Sequence, residues 1–142
     1  MKTTKLIVDY GYEFDIIAVI SSAKDYKLAW SINNILKIRL CKSEDLCFEF
    51  LDDSKLLIAN FLFEKEYSCL WLLRNRSIDF VNSSKPYLVP ELKEYDYFIK
   101  IDGEKGFFDV NEIIKQLQSL PEIQYIKRID VQTLKSKENL IF

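Results

Sequence analysis

The segment YDYFIKIDGEKGFFDVNEIIKQLQSLPEIQYIKRIDV, running from Tyr95 to Val131, decides the fold class. Tyr95, Tyr97, Ile99 and Ile101 alternate with Asp96, Phe98, Lys100 and Asp102, the period of two that belongs to a strand, ending near Gly103. Asp109 and Glu112 then have the spacing of a capping box. Val110, Ile113, Ile114, Leu117 and Leu120 follow on one helical face until Pro121 stops it. Ile123 to Val131 supplies a second strand. A strand, a helix and a strand in so short a span predict a βαβ unit, its two strands parallel and its helix across one face of the sheet.

The first half repeats that order. Lys5 to Tyr10 and Phe14 to Ser21 are rich in Ile and Val, split by Gly11, and read as two strands or one long bulged strand, the hairpin being favoured. Ser22 and Asp25 resemble another capping box, and Leu28, Ala29, Ile32, Ile35 and Leu36 form an amphipathic stripe that leaves Trp30 outside it. Leu46, Phe48 and Phe50 share one face of a strand. The nearly continuous apolar runs Leu56 to Phe63 and Cys69 to Leu73 read as a hairpin at the centre of the sheet. With no Gly between them, a loop of four or more residues is expected there. Asn75 to Pro90, preceded by Arg74 and containing Asn82-Ser83-Ser84 and Pro86, is the long irregular connection. The whole predicts one α+β domain over residues 1–142: a mainly antiparallel sheet with two helices on one face, ferredoxin-like with an inserted β-hairpin.

Composition narrows the chemistry. The 142 residues hold 20 basic and 22 acidic side chains, a net charge of −2 that offers no general attraction for nucleic acid or anionic lipid. Histidine is absent, which removes the usual general base near neutral pH and the commonest metal ligand. Cys41, Cys47 and Cys69 are odd in number and contain no CxxC pair, so neither a zinc site nor a disulfide framework is expected. They read as free, mostly buried thiols, Cys47 and Cys69 each lying in an apolar run. The short apolar stretch after Lys5 is too brief for a signal peptide, and no stretch reaches transmembrane length. These features point to the reducing cytoplasm, with no membrane, no nucleic acid and no cofactor.

One motif stands apart: Val89-Pro90-Glu91-Leu92-Lys93-Glu94-Tyr95-Asp96-Tyr97. It resembles the signature of the bacterial IPExxxVDY family, found mainly in Bacteroidota, with Val89 in place of Ile and Tyr95 in place of Val. The family is named for its motif, and the resemblance implies no activity. Physically, Pro90 holds Val89 extended and fixes its own φ, which suits a turn into the strand that follows. Glu91 is then placed to accept backbone N–H groups or to pair with Arg74 or Arg76. Alternatively Glu91 and Asp96 act as a carboxylate pair, although five residues apart on a strand they point to opposite faces. The candidate binding residues are therefore Pro90, Glu91, Asp96, Tyr97, Arg74 and Arg76, with no catalytic residue and no metal ligand assigned.

Other candidates are weaker. Glu44, Asp45, Glu49, Asp52 and Asp53 lack the spacing of a calcium loop and read as a solvated strand edge. Gly103-Glu104-Lys105-Gly106 lacks the pattern of a phosphate loop and reads as a plain turn. The expected function is a non-enzymatic binding or protein-interaction module, with a protein partner or a second copy as its target. Two alternatives stand beside it. One is a small-ligand regulatory domain resembling ACT domains, although Ser21 and Ser22 stand where those domains have glycine. The other is an enzyme using carboxylates near Pro90 and Glu91.

Overall fold

The computed structural model describes residues 14–50, 55–78, 86–103 and 108–142. The expected strand at Lys5 to Tyr10, the acidic pair Asp52 and Asp53, and Glu104 to Gly106 lie outside these residues. Within them, β1 (Asp15–Ile20), α1 (Asp25–Leu36), β2 (Cys41–Glu49), β3 (Lys55–Lys65), β4 (Ser68–Arg74), β5 (Tyr97–Gly103), α2 (Val110–Leu117) and β6 (Tyr125–Ile129) follow in order. The strands form one sheet in the order β2-β3-β4-β5-β1-β6, with every neighbouring pair antiparallel. Because β1 lies between β5 and β6 and opposes both, the strands on either side of α2 run parallel, as the βαβ reading requires. The class is α+β.

Both faces of the sheet are covered. Leu28 and Ile32 of α1 and Ile113 and Leu117 of α2 pack on Ile17 and Val19 of β1, so the two helices share one face. On the other face Ile16, Ala18 and Phe98 meet Leu88, Val89, Val131 and Leu140. The cover on this side is a 3-10 turn at Pro90–Leu92 with its flanking residues, and two further 3-10 turns at Val131–Thr133 and Lys137–Leu140. With side chains engaged on both faces, Ile16, Ile17, Ala18 and Val19 of β1 are all fully buried. A continuous apolar run in a strand flanked on both sides has this physical cause.

The caps and turns depart from the sequence reading in two places. Helix α1 starts at Asp25, and the residue before it, Lys24, has an extended backbone and a side chain that caps nothing, so Ser22 and Asp25 form no capping box. Helix α2 has the expected cap, with Asp109 accepting from the N–H groups of Asn111 and Glu112. The β3–β4 connection is a two-residue turn, Glu66-Tyr67, despite the absence of Gly, because Glu66 adopts the left-handed conformation with φ 54°. Its glycine is on the neighbouring strand: Gly103, at φ 118°, lies where a Cβ would collide with Tyr67 and Ser68.

The cysteines are also more open than their neighbours suggest, Cys41 and Cys47 being exposed and Cys69 half-buried. Both exposed thiols belong to the edge strand β2, where Leu46 and Phe48 pack inward and Cys47, between them, points away. Conversely Lys100, a charged residue in the same alternation as Asp96 and Asp102, is 2% exposed, because it shares the covered face with Phe98.

Candidate functional site

Antiparallel pairing brings the ends of β1 and β4 and the starts of β5 and β6 to the same end of the sheet. Here the chain leaves β1 through Ser21, Ser22 and Ala23 into α1, beside the motif segment that leads into β5. The turn is fixed from several sides. The Ser21 N–H donates to Asp96 Oδ2 (2.9 Å), the Ser21 hydroxyl donates to the Glu122 carbonyl (2.5 Å), and the Ser22 N–H donates to Gln124 Oε1 (3.0 Å). Tyr97 donates its hydroxyl to the Ala23 carbonyl at 2.6 Å.

Between this turn and the motif lies a cleft of about 600 Å³, lined by residues 21–25 and by Arg74, Arg76, Tyr87, Lys93, Tyr95, Asp96 and Tyr97. Four of the six residues singled out from the sequence, Arg74, Arg76, Asp96 and Tyr97, therefore share one wall. Four cationic residues, Lys24, Arg74, Arg76 and Lys93, line the cleft together with two carboxylates, Asp25 and Asp96. Three tyrosines supply flat surfaces, and the Arg76 guanidinium lies 6.0 Å from the centre of the Tyr87 ring. Burial is the main reason the Tyr97 phenol is pushed up to about 12, helped by Asp25 and Asp96 against the opposing pull of Arg74. It therefore stays protonated as a hydrogen-bond donor and is unsuited to act as a base near neutral pH.

Pro90 and Glu91 face elsewhere. Glu91 Oε2 accepts the backbone N–H of Ser136 at 2.7 Å, joining the motif to the segment that covers the second face. Partial burial raises its proton affinity, yet bonds from its own N–H and from Ser136 and Lys135 outweigh this and hold the carboxyl below its usual range. The structure thus separates the pair considered in the sequence: Asp96 bonds Ser21 at the cleft, and Glu91 bonds Ser136. Neither Arg74 nor Arg76 has an ion pair with Glu91.

The residue that holds the motif in place is Asn75, which is fully buried. Its Nδ2 donates to the carbonyls of Leu92 (3.0 Å) and Tyr95 (2.9 Å), and its Oδ1 accepts from the Val89 N–H (2.9 Å). Its backbone N–H donates to the Asp96 carbonyl, and its own carbonyl accepts from Leu88. One side chain thereby satisfies three polar backbone groups of a segment with no regular ladder of its own. Sequence reading passed over it as one polar residue among several in Arg74-Asn75-Arg76. Nor does the sequence single out Lys24, Tyr87 and Lys93: Lys24 lies more than 60 residues before the other two, and no spacing signal links them.

Among the described residues no group of three or more Cys, Asp or Glu side chains comes together as a metal site, and no helix is long and apolar enough to cross a membrane. No protein-family model, curated protein or solved structure matches the chain.

Proposed function

We propose that this protein is a non-enzymatic binding module whose cleft at the β1–α1 turn takes a small anionic molecule. One observation carries the reading: four cations and three tyrosines converge on a preformed cleft in a chain whose net charge is −2. The volume suits a small ligand, the cations suit a carboxylate or phosphate, and the tyrosine rings suit a planar group beside it. Enzymatic use is less well supported, because Tyr97 keeps its proton and Asp96 is engaged by Ser21. Among the binding roles, a small-ligand regulatory domain fits a cleft formed by the first strand-to-helix turn. We also propose a cytoplasmic location and no nucleic-acid partner, a reading that rests on the composition and the net charge of −2.

With β3 and β4 set aside, the strand order reads β2-β5-β1-β6, which supports a ferredoxin-like arrangement with an inserted hairpin. The motif is accounted for as well: it shapes one wall of the cleft through Tyr95, Asp96 and Tyr97 and anchors its other end through Glu91. Membership of the IPExxxVDY family stays a proposal that rests on the likeness of the residues from Val89 to Tyr97 to its motif.

A thermal-shift screen of small phosphates and carboxylates against matched neutral analogues tests the proposal. The anions are expected to raise the melting temperature of the native protein and to do so far less in Arg74→Glu, since a ligand that binds only the folded state stabilises it. Equal shifts with neutral analogues, or none with any anion, would refute it.

A second reading, contact with a protein partner or a second copy, is favoured by Tyr26 and Trp30. They lie one turn apart on α1 and are 60% and 67% exposed. Sedimentation over a range of concentrations, on the native chain and on Trp30→Ser, separates self-association from a monomer with an aromatic surface.

A further inference from the structure

We propose, resting on the cleft reading above, that the ligand is a zwitterion: its acid group lies among Arg74, Arg76 and Lys93, and an ammonium group on the same molecule lies against Asp25 and Asp96 at the β1–α1 turn. What carries this is how the turn uses its backbone. The start of a helix ordinarily offers free N–H groups to an anion. Here the Ser21 N–H donates to Asp96 Oδ2 (2.9 Å), that of Ser22 to Gln124 Oε1 (3.0 Å), that of Ala23 to the Ser21 hydroxyl (3.2 Å) and that of Tyr26 to Asp25 Oδ1 (2.7 Å). The Tyr97 hydroxyl is given to the Ala23 carbonyl (2.6 Å). Asp25 and Asp96 both line the cleft, and each keeps one carboxylate oxygen without a hydrogen bond among the described residues. This side of the cleft has acceptors to spare and its donors are engaged, which suits an ammonium with its three N–H groups.

The opposite charges of the cleft do not neutralise one another. Lys24, Arg74 and Lys93 form no ion pair with Asp25 or Asp96. Lys24 is the cation of the turn side, where the two carboxylates outnumber it. The other three cations belong to the strand end and the motif: Arg74 is the register partner of Tyr97, Arg76 is joined to Tyr87 by an isolated bridge, and Lys93 follows the 3-10 turn at Pro90–Leu92. A cleft that holds both signs unpaired is complementary to a ligand that carries both, whereas a ligand with one sign alone meets like charge at one end.

Calorimetric titration of the native chain at low salt with matched pairs of ligands provides the test: O-phosphoethanolamine against ethyl phosphate, phenylalanine against 3-phenylpropionate, and tyramine phosphate against 4-ethylphenyl phosphate. The members of a pair differ by the amine alone, and the pairs differ in the spacing between amine and acid group. In at least one pair the amine is expected to strengthen binding by about fivefold or more. Asp25→Asn keeps a side-chain acceptor for the Tyr26 N–H and should cut that advantage to about twofold or less. Amine advantages below about twofold in every pair, or an advantage that survives Asp25→Asn, would overturn the zwitterion while leaving the anion site in place. Binding of none of the six compounds would remove the anion site and the zwitterion with it.

Discussion

Asn75 and Glu91 divide the work of holding the motif, and the two side chains differ in how open they are. Asn75 is fully buried and ties Val89, Leu92 and Tyr95 together; Glu91 is exposed and makes one long-range bond to Ser136. For Glu91→Gln the expected loss is about 1 kcal/mol in urea melts, the worth of a single charge-assisted bond near the surface, with ligand binding at the cleft unchanged. The pH dependence has a definite sign. The folded-state carboxyl is held below its unfolded value, so its contribution is fully present above the ordinary carboxylate range and is lost as pH falls through the folded value. The Gln variant should therefore approach the native chain in stability on acidification. Loss of ligand binding at normal stability would return Glu91 to the site. The sequence made Pro-Glu legible as a turn but did not identify Ser136 as the partner, since a bond across 45 residues leaves no local pattern.

At the level of elements, the two helices were readable because each carries a stripe of the right period, and the stripe of α2 predicts a measurable cost. Leu117 is fully buried in the layer between helices and sheet, so Leu117→Ala is expected to destabilise by about 2 to 5 kcal/mol in denaturant melts. A loss below about 0.5 kcal/mol would remove α2 from the core. What could not be read were features set by neighbours distant in sequence. The tight Glu66-Tyr67 turn fits because Gly103 on the adjacent strand has no side chain to meet it. Cys47 is exposed because β2 is at the sheet edge, and edge position depends on the pairing of all six strands. The 3-10 turns after β6 bury Val131, Leu134 and Leu140, apolar residues too widely spaced to form a helical stripe or a strand alternation.

Across the molecule, the cleft is the product of topology: β1 sits between β5 and β6, and the β1–α1 turn is thereby brought against a motif some 70 residues later. Four of its lining residues are legible in the sequence through their closeness to the motif, but nothing local to them shows that they share a cavity with Lys24. The proposed function requires that an anionic ligand bind in this cleft. The most direct measurement is a titration of the isotope-labelled native chain with phenyl phosphate, which carries both a dianion and a ring, followed by amide NMR shifts. Saturable shifts centred on Ser21 to Asp25, Arg74 to Arg76 and Tyr95 to Tyr97 are the predicted result. Saturable shifts centred elsewhere, or no saturable shifts at all, would contradict it.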